Sequence, residues 1–227
     1  MRGKSAKAES PKKRILIVDD HPMMRDGLRQ LIANEADLEV VGEADDAAQA
    51  LEEAEKLKPD LAIVDITLRA SNGLDLIKDL HIRSPRTAVL VLSMHDESLY
   101  AERVLRAGGR GYIMKQEGGK KIIEGVRQVA NGHTYVSPAV SSKILDALSG
   151  HQGDKAEVEK LTDREFEVFQ LIGQGFSTKE MAEKLRVSVK TIEVHRVNIK
   201  EKLNTPTAPD LIRYAVRWVE SQGNPRA

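Results

Sequence analysis

Three aspartates, a serine and a lysine stand out for the chemistry they could do together. Asp19 and Asp20 follow the apolar run Ile15–Val18, Asp65 follows Leu61–Val64, Ser93 follows Ala88–Leu92, and Lys115 follows Gly111–Met114. Carboxylates gathered at one place repel each other unless a cation sits among them. An all-oxygen donor set, with neither His nor Cys in it, suits Mg2+. A carboxylate can also act as a nucleophile toward phosphorus. A metal ion, an ammonium and a hydroxyl around it would neutralise the phosphoryl oxygens. The set is therefore coherent for forming an aspartyl phosphate on Asp65. Any one of these aspartates taken alone reads more readily as a helix N-cap. It is the recurrence of polar residues at the ends of several strands that favours a site.

Such a set needs a scaffold that brings strand ends together. Five short apolar runs, the four above and Leu38–Val41, alternate with segments of helical spacing such as Met24, Leu28, Leu31 and Ile32. Continuous apolar strands interleaved with helices predict a parallel sheet covered on both faces. Right-handed crossovers then give a doubly wound (βα)5 layer, an α/β fold. In a 2-1-3-4-5 strand order, the strands bearing the polar ends are neighbours. The last helix of this half is expected over 120–130, stopped by Asn131-Gly132. A helix is plausible over 138–148, and 149–154 reads as a linker.

From Leu161 onward the pattern is purely helical, with helices expected near 163–173, 178–185, 189–203 and 207–219. Thr162 with Glu165 and Ser177 with Glu180 each form a capping-box pattern. On the third helix, N-capped by Ser188, Ile199 and Leu203 fall within about 20° of Ile192 at ~100° per residue, and the three form a buried stripe. Lys190, Glu193, Val194, Val197 and Glu201 lie opposite. Two valines among exposed charges fit thymine methyls in a major groove, and Lys179, Lys190, Arg196 and Lys200 could reach phosphates. A small helical interaction domain would show much the same pattern.

The net charge of zero is unevenly spread: residues 1–14 carry +5, 15–137 carry −6, 138–160 carry −1 and 161–227 carry +2. The basic start reads as a disordered solubilising tail rather than a nucleic-acid arm. The absence of cysteine removes disulfides, thiolate zinc sites and thiol catalysis. No secretory signal or membrane-spanning stretch is visible, which suits a cytoplasmic protein.

The stretches ILIVDDHPMMRDGLRQLI, LAIVDITLRASNGLDLI, VLVLSMHDE and GYIMKQ resemble a response-regulator receiver domain over 13–135. The stretch LTDREFEVFQLIGQGFSTKEMAEKLRVSVKTIEVHRVNIKEKL resembles a LuxR/NarL-type helix-turn-helix over 161–220. The resemblance implies a flavodoxin-like receiver joined to an all-α four-helix domain, with a tail over 1–12, a linker over 136–160 and a second tail over 221–227. It implies a two-component transcription regulator of the NarL/FixJ class, not an enzyme. Asp65 would accept phosphate from a sensor histidine kinase. Asp19, Asp20, Asp65 and the Thr67 carbonyl would hold Mg2+, with Asp20 the more direct of the acidic pair. Ser93 and Lys115 would contact the phosphoryl group. Tyr112 would be a switch aromatic or plain core. The partners implied are double-stranded promoter DNA and a second copy of the chain after phosphorylation. Ser188, Lys190, Thr191, Glu193, Val194, Arg196, Val197, Lys179 and Lys200 would face the DNA. Leu211, Tyr214, Ala215 and Trp218 resemble a dimer surface, with Trp218 equally readable as core.

Departures from the family pattern are Leu68-Arg69, where Met-Pro is frequent, and Gln116, where Pro follows the lysine. Arg69 is expected to alter kinase docking or phosphate lifetime, and Thr67 and His95 hold the positions that tune self-dephosphorylation. Asn204-Thr205-Pro206 replaces the usual Gly-Val turn. Two other readings remain: a phosphorylation-independent DNA binder with a vestigial receiver, and an aspartyl-phosphate hydrolase, which would usually place its nucleophile after the first strand.

Overall fold

The computed structural model describes residues 11–68, 71–148, 155–158 and 160–223. The expected linker at 149–154, most of the N-terminal tail and Arg69 lie outside them. The chain divides into two compact units.

Up to Val136 the elements run β1 (Lys13–Val18), α1 (Pro22–Ala33), β2 (Leu38–Ala44), α2 (Ala47–Leu57), β3 (Leu61–Val64), β4 (Thr67–Leu68), β5 (Ser71–Asn72), α3 (Gly73–Arg83), β6 (Ala88–Ser93), α4 (Glu97–Arg106), β7 (Gly111–Met114) and α5 (Gly119–Ala130), all in the first unit except Ser98–Glu102 of α4. The five long strands pair in parallel in the order β2-β1-β3-β6-β7, the order expected. Ile15, Leu16 and Ile17 of β1 and Leu61, Ala62, Ile63 and Val64 of β3 are all 1% exposed or less. Strands this apolar on both faces must lie between helical layers. On one face Leu28 and Ile32 of α1 and Ile122, Ile123, Val126 and Val129 of α5 complete the core.

Several local features depart from expectation. β2 continues to Ala44 instead of stopping near Val41, because a register shift opposite Ile15/Leu16 lets Gly42, Glu43 and Ala44 pair with Leu16, Ile17 and Val18. Ser93 is the last residue of its strand, paired with Met114, rather than the first residue after it. Thr67–Leu68 and Ser71–Asn72 form an unforeseen antiparallel hairpin after Asp65. Beyond α5, the Tyr135 main chain pairs with β7: Tyr112 N donates to Tyr135 O at 2.9 Å and Tyr135 N to Arg110 O at 2.9 Å.

The second unit contains α6 (Pro138–Leu148), α7 (Lys155–Val158), α8 (Asp163–Gly173), α9 (Thr178–Lys184), α10 (Val189–Lys202) and α11 (Ala208–Gly223). α11 runs three residues into the stretch expected as a tail. Both capping boxes form, at Thr162–Glu165 and Ser177–Glu180. The turns use left-handed residues at Gly175 (φ 86°), Arg186 (φ 53°) and Asn204 (φ 50°). Asn tolerates this region better than most side chains, so Asn204 can serve where glycine is usual. At Gly173 a Cβ would lie 2.5 Å from the Ala215 carbonyl oxygen, so glycine there lets α8 and α11 approach closely.

Candidate functional site

The ends of β1, β3 and β6 and the residue after β7 bring the predicted polar residues together. Asp19, Asp20, Asp65 and Ser93 are 2%, 4%, 4% and 0% exposed. Main-chain bonds continue the sheet into the loops and fix these side chains: Asp65 N donates to Val18 O at 2.9 Å and Lys115 N to Ser93 O at 2.7 Å. Lys115 Nζ donates to Asp19 Oδ2 at 2.6 Å and Asp65 Oδ2 at 2.7 Å. Thr67 N donates to Asp65 Oδ1 at 3.1 Å. Burial raises the Asp65 carboxyl above its usual range, with the Lys115 ammonium opposing it. Burial pulls Lys115 down, but Asp65 and Asp19 outweigh it and hold the ammonium above its usual value. Gly73 packs against the acceptor loop so tightly that a Cβ would lie 2.4 Å from the Asp65 carbonyl oxygen.

Tyr112 is buried, its hydroxyl donating to the His95 carbonyl at 2.8 Å. Burial, with nearby carboxylates, raises its phenol well above its usual value while the Ser93 hydroxyl opposes the rise. His95 also meets the site through its ring: Nε2 lies 3.1 Å from Thr67 Oγ1. His95 N donates to Ser93 Oγ at 3.2 Å. Thr67, Ser93, His95 and Tyr112 thus form one connected set.

Two participants were missed from the sequence. His21 Nδ1 lies 2.7 Å from Asp20 Oδ1 and 3.2 Å from Asp19 Oδ1. Arg25 Nη1 donates to the Asp19 carbonyl at 2.5 Å, and its Nε pairs with Glu43 at 3.4 Å. The adjacency of His21 to two aspartates was the available signal. Arg25 gave none, because its partners are the main chain and a residue of the next strand.

In the second unit, α9 and α10 form the expected helix-turn-helix. Ser188 Oγ accepts from Thr191 N at 3.0 Å and N-caps α10. Ile192, Ile199 and Leu203 are 0%, 0% and 3% exposed, while Val194 and Val197 are 52% and 48% exposed. Lys179, Ser188, Lys190 and Glu193 are also exposed, and Thr191, Arg196 and Lys200 are half-buried. The helix is held from behind by Lys202 Nζ, which donates to Glu165 Oε2 at 2.6 Å. Burial would raise Glu165, but Lys202 and the Thr162 cap bonds win and hold it below its usual value. Four residues expected on a dimer surface separate into two pairs. Leu211 and Ala215 are fully buried and cannot face a partner. Trp218 and Tyr214 lie over Phe169, with ring centroids 5.5 and 5.8 Å away, and Trp218 also meets Phe166 at 5.4 Å. Edge-to-face packing of this kind engages one side of Trp218 within the unit and leaves the residue half-buried.

Residues 15–127 match the response regulator receiver domain, and residues 159–215 match the luxR family of bacterial regulatory proteins. Oxygen regulatory protein NreC of Staphylococcus carnosus is 35% identical over 210 residues, covering 90% of this chain and 97% of NreC. Transcriptional regulatory protein MctR of Rhizobium johnstonii is 36% identical over 208 residues, covering 92% and 95%. Among solved structures, RcsB from Salmonella enterica serovar Typhimurium, bound to promoter rprA with the phosphomimetic BeF3−, is 27% identical with a TM-score of 0.59, covering 90% of this chain and 98% of RcsB. With a receiver sheet, an acidic pocket at its strand ends and a helix-turn-helix in its second unit, the chain belongs to the two-component response regulators of the NarL/FixJ class.

Proposed function

We propose that Asp65 is the phosphoacceptor and that its phosphorylation controls the binding of α10 to promoter DNA. The observation that carries this is Lys115, which bridges Asp19 and Asp65 within a buried pocket. An Asp65 oxygen attacks phosphorus as the phosphorus–nitrogen bond of a sensor kinase's phosphohistidine breaks. The Asp65 carboxylate becomes an acyl phosphate, and Lys115 and the Ser93 hydroxyl face the oxygens of the transferred group. The carboxylates of Asp19, Asp20 and Asp65 fit a hard divalent cation such as Mg2+, with the Thr67 carbonyl as a further ligand. When bound, the ion supplies charge neutralisation for the transfer. Tyr112 and Ser93, already joined through His95, are the elements whose rearrangement would report the new charge.

On the output side, Val194, Val197 and Glu193 read base edges, while Lys179, Lys190, Arg196 and Lys200 hold phosphates and Ser188 and Thr191 set the start of the helix. RcsB also forms dimers on DNA, and dimerisation on paired half-sites follows for this chain by the same logic. The protein acts as a cytoplasmic regulator, not as a turnover enzyme; among the described residues no helix is long and apolar enough to cross a membrane. The test is DNA-affinity selection with and without an acyl-phosphate donor and Mg2+. One selected, symmetric site that depends on the donor is expected. A D65A variant that keeps kinase-dependent promoter binding overturns the reading.

A further inference from the structure

We propose that His21 turns the acidic pocket into a mixed nitrogen–oxygen site, one that prefers a first-row transition ion such as Ni2+ or Mn2+ to Mg2+. The inference rests on the metal-binding reading above and deepens it. Ligand atoms from Asp19, Asp20, His21 and Asp65 all lie within 4.8 Å of one another. His21 sits at the N-cap of α1, yet its side chain makes no capping bond, and Pro22 follows it at the start of the helix. The Nδ1 edge of its exposed ring meets the acidic pair instead, at 2.7 Å from Asp20 Oδ1 and 3.2 Å from Asp19 Oδ1. The backbone holds it there, because His21 N donates to Asp19 Oδ1 at 2.8 Å.

Lys115 occupies the Oδ2 atoms of Asp19 and Asp65. On the Oδ1 side, where His21 lies, Asp19 Oδ1 accepts from His21 N and Asp65 Oδ1 from Thr67 N, and each oxygen has a further lone pair to offer an ion. Mg2+ favours an octahedral shell of oxygens and keeps much of its water. Imidazole nitrogen raises affinity along the order Mn2+ to Ni2+ to Cu2+ and contributes little to Mg2+. To ligate, Nδ1 must present its lone pair, with the ring proton on Nε2. The ring is 58% exposed, so Nε2 can exchange that proton with water.

The experiment uses the full chain and two readouts. Electron spin-echo modulation of bound Mn2+ reports directly coordinated imidazole nitrogen, and calorimetric competition measures Ni2+ against Mg2+. Wild type and H95Q are expected to show the nitrogen modulation, and H21Q to lose it. The preference for Ni2+ over Mg2+ is expected to fall by about ten-fold or more in H21Q, in line with the effect of losing an ion-orienting group. Nitrogen modulation that persists in H21Q, or that is missing from wild type while Mg2+ binds the pocket, overturns the inference and leaves the metal-binding reading standing. Failure of both Mg2+ and Mn2+ to bind wild type any better than D20N overturns both.

Discussion

Replacing Lys115 by methionine keeps most of the stem and removes the ammonium. The result can be worked from the pocket's charge. The ammonium lies 2.6 Å from Asp19 and 2.7 Å from Asp65, with all three side chains 6% exposed or less. Removing one partner of a buried pair costs about 3–5 kcal/mol, because the abandoned charge stays desolvated. Here two carboxylates are abandoned beside a third, Asp20. The loss has a ceiling, since Asp65 can escape by taking a proton. At 1.36 kcal/mol per pH unit, neutralising a carboxyl of ordinary value 3.8 at pH 7 costs about 4 kcal/mol. Hydrogen exchange of β1 and β3 amides at pH 7 in chelator should therefore show the K115M receiver destabilised by about 3 kcal/mol. Trp218, the chain's single tryptophan, lies in the other unit and serves as an internal control. The pH dependence has a definite sign. Asp65 is raised by burial even with Lys115 present, so its favourable contribution is complete below the ordinary value and is lost as pH rises through the raised folded one. Without Lys115 that folded value rises further, so the deficit should shrink as the pH is lowered. Added divalent ion should stabilise the variant more than wild type. A K115M receiver as stable as wild type in chelator, or a deficit insensitive to acid, would refute the role of Lys115 as counter-ion.

Other consequences are equally open to measurement. In G73A a methyl placed 2.4 Å from the Asp65 carbonyl must push the acceptor loop aside; phosphorylation by an acyl phosphate should slow by about ten-fold or more, as a misplaced reacting group does, with circular dichroism unchanged. His195 is held below its usual value by burial and then by Arg164, against Glu165. Its contribution to the stability of the helical unit is present above its ordinary 6.5 and lost as pH falls through the lowered folded value, so Trp218 fluorescence in urea should show acid weakening that H195Q flattens. Replacing Val194 and Val197 together by alanine should reduce preference for the selected DNA site while leaving the salt dependence of binding intact. Lys190→Ala should weaken all sequences alike and lower the salt slope by about one; gel-shift titrations at several salt concentrations separate the two.

Asp19, Asp20, Asp65, Ser93 and Lys115 were legible because each follows or ends an apolar run, and a parallel sheet has only one carboxyl-terminal edge. The recognition helix was legible because Ile192, Ile199 and Leu203 repeat at helical spacing while Val194 and Val197 break the polar face opposite. What stayed hidden depends on contacts between distant segments. Nothing local distinguishes a buried Leu211 or Ala215 from the same residues on an exposed helix face. The extension of β2 to Ala44 depends on a register shift against β1, and no composition rule reports it. His21 was visible as a neighbour of the acidic pair, but which way its ring turns is set by the Asp19 bond to its main chain.

The segment at Tyr135, laid along β7, has a consequence for how copies of this chain can meet. A strand edge with free N–H and C=O groups invites another chain to add to the sheet, and such additions grow without limit. Tyr135 covers part of that edge at Arg110 and Tyr112. At the far edge, the β1–β2 ladder is interrupted by a register shift, and β2 carries Glu39 and Glu43, paired with Arg14, Arg25 and Arg29. Both margins of the sheet therefore discourage backbone-mediated stacking. A pairing of two copies would therefore have to run through side-chain surfaces, which close into a defined pair and not an open-ended stack.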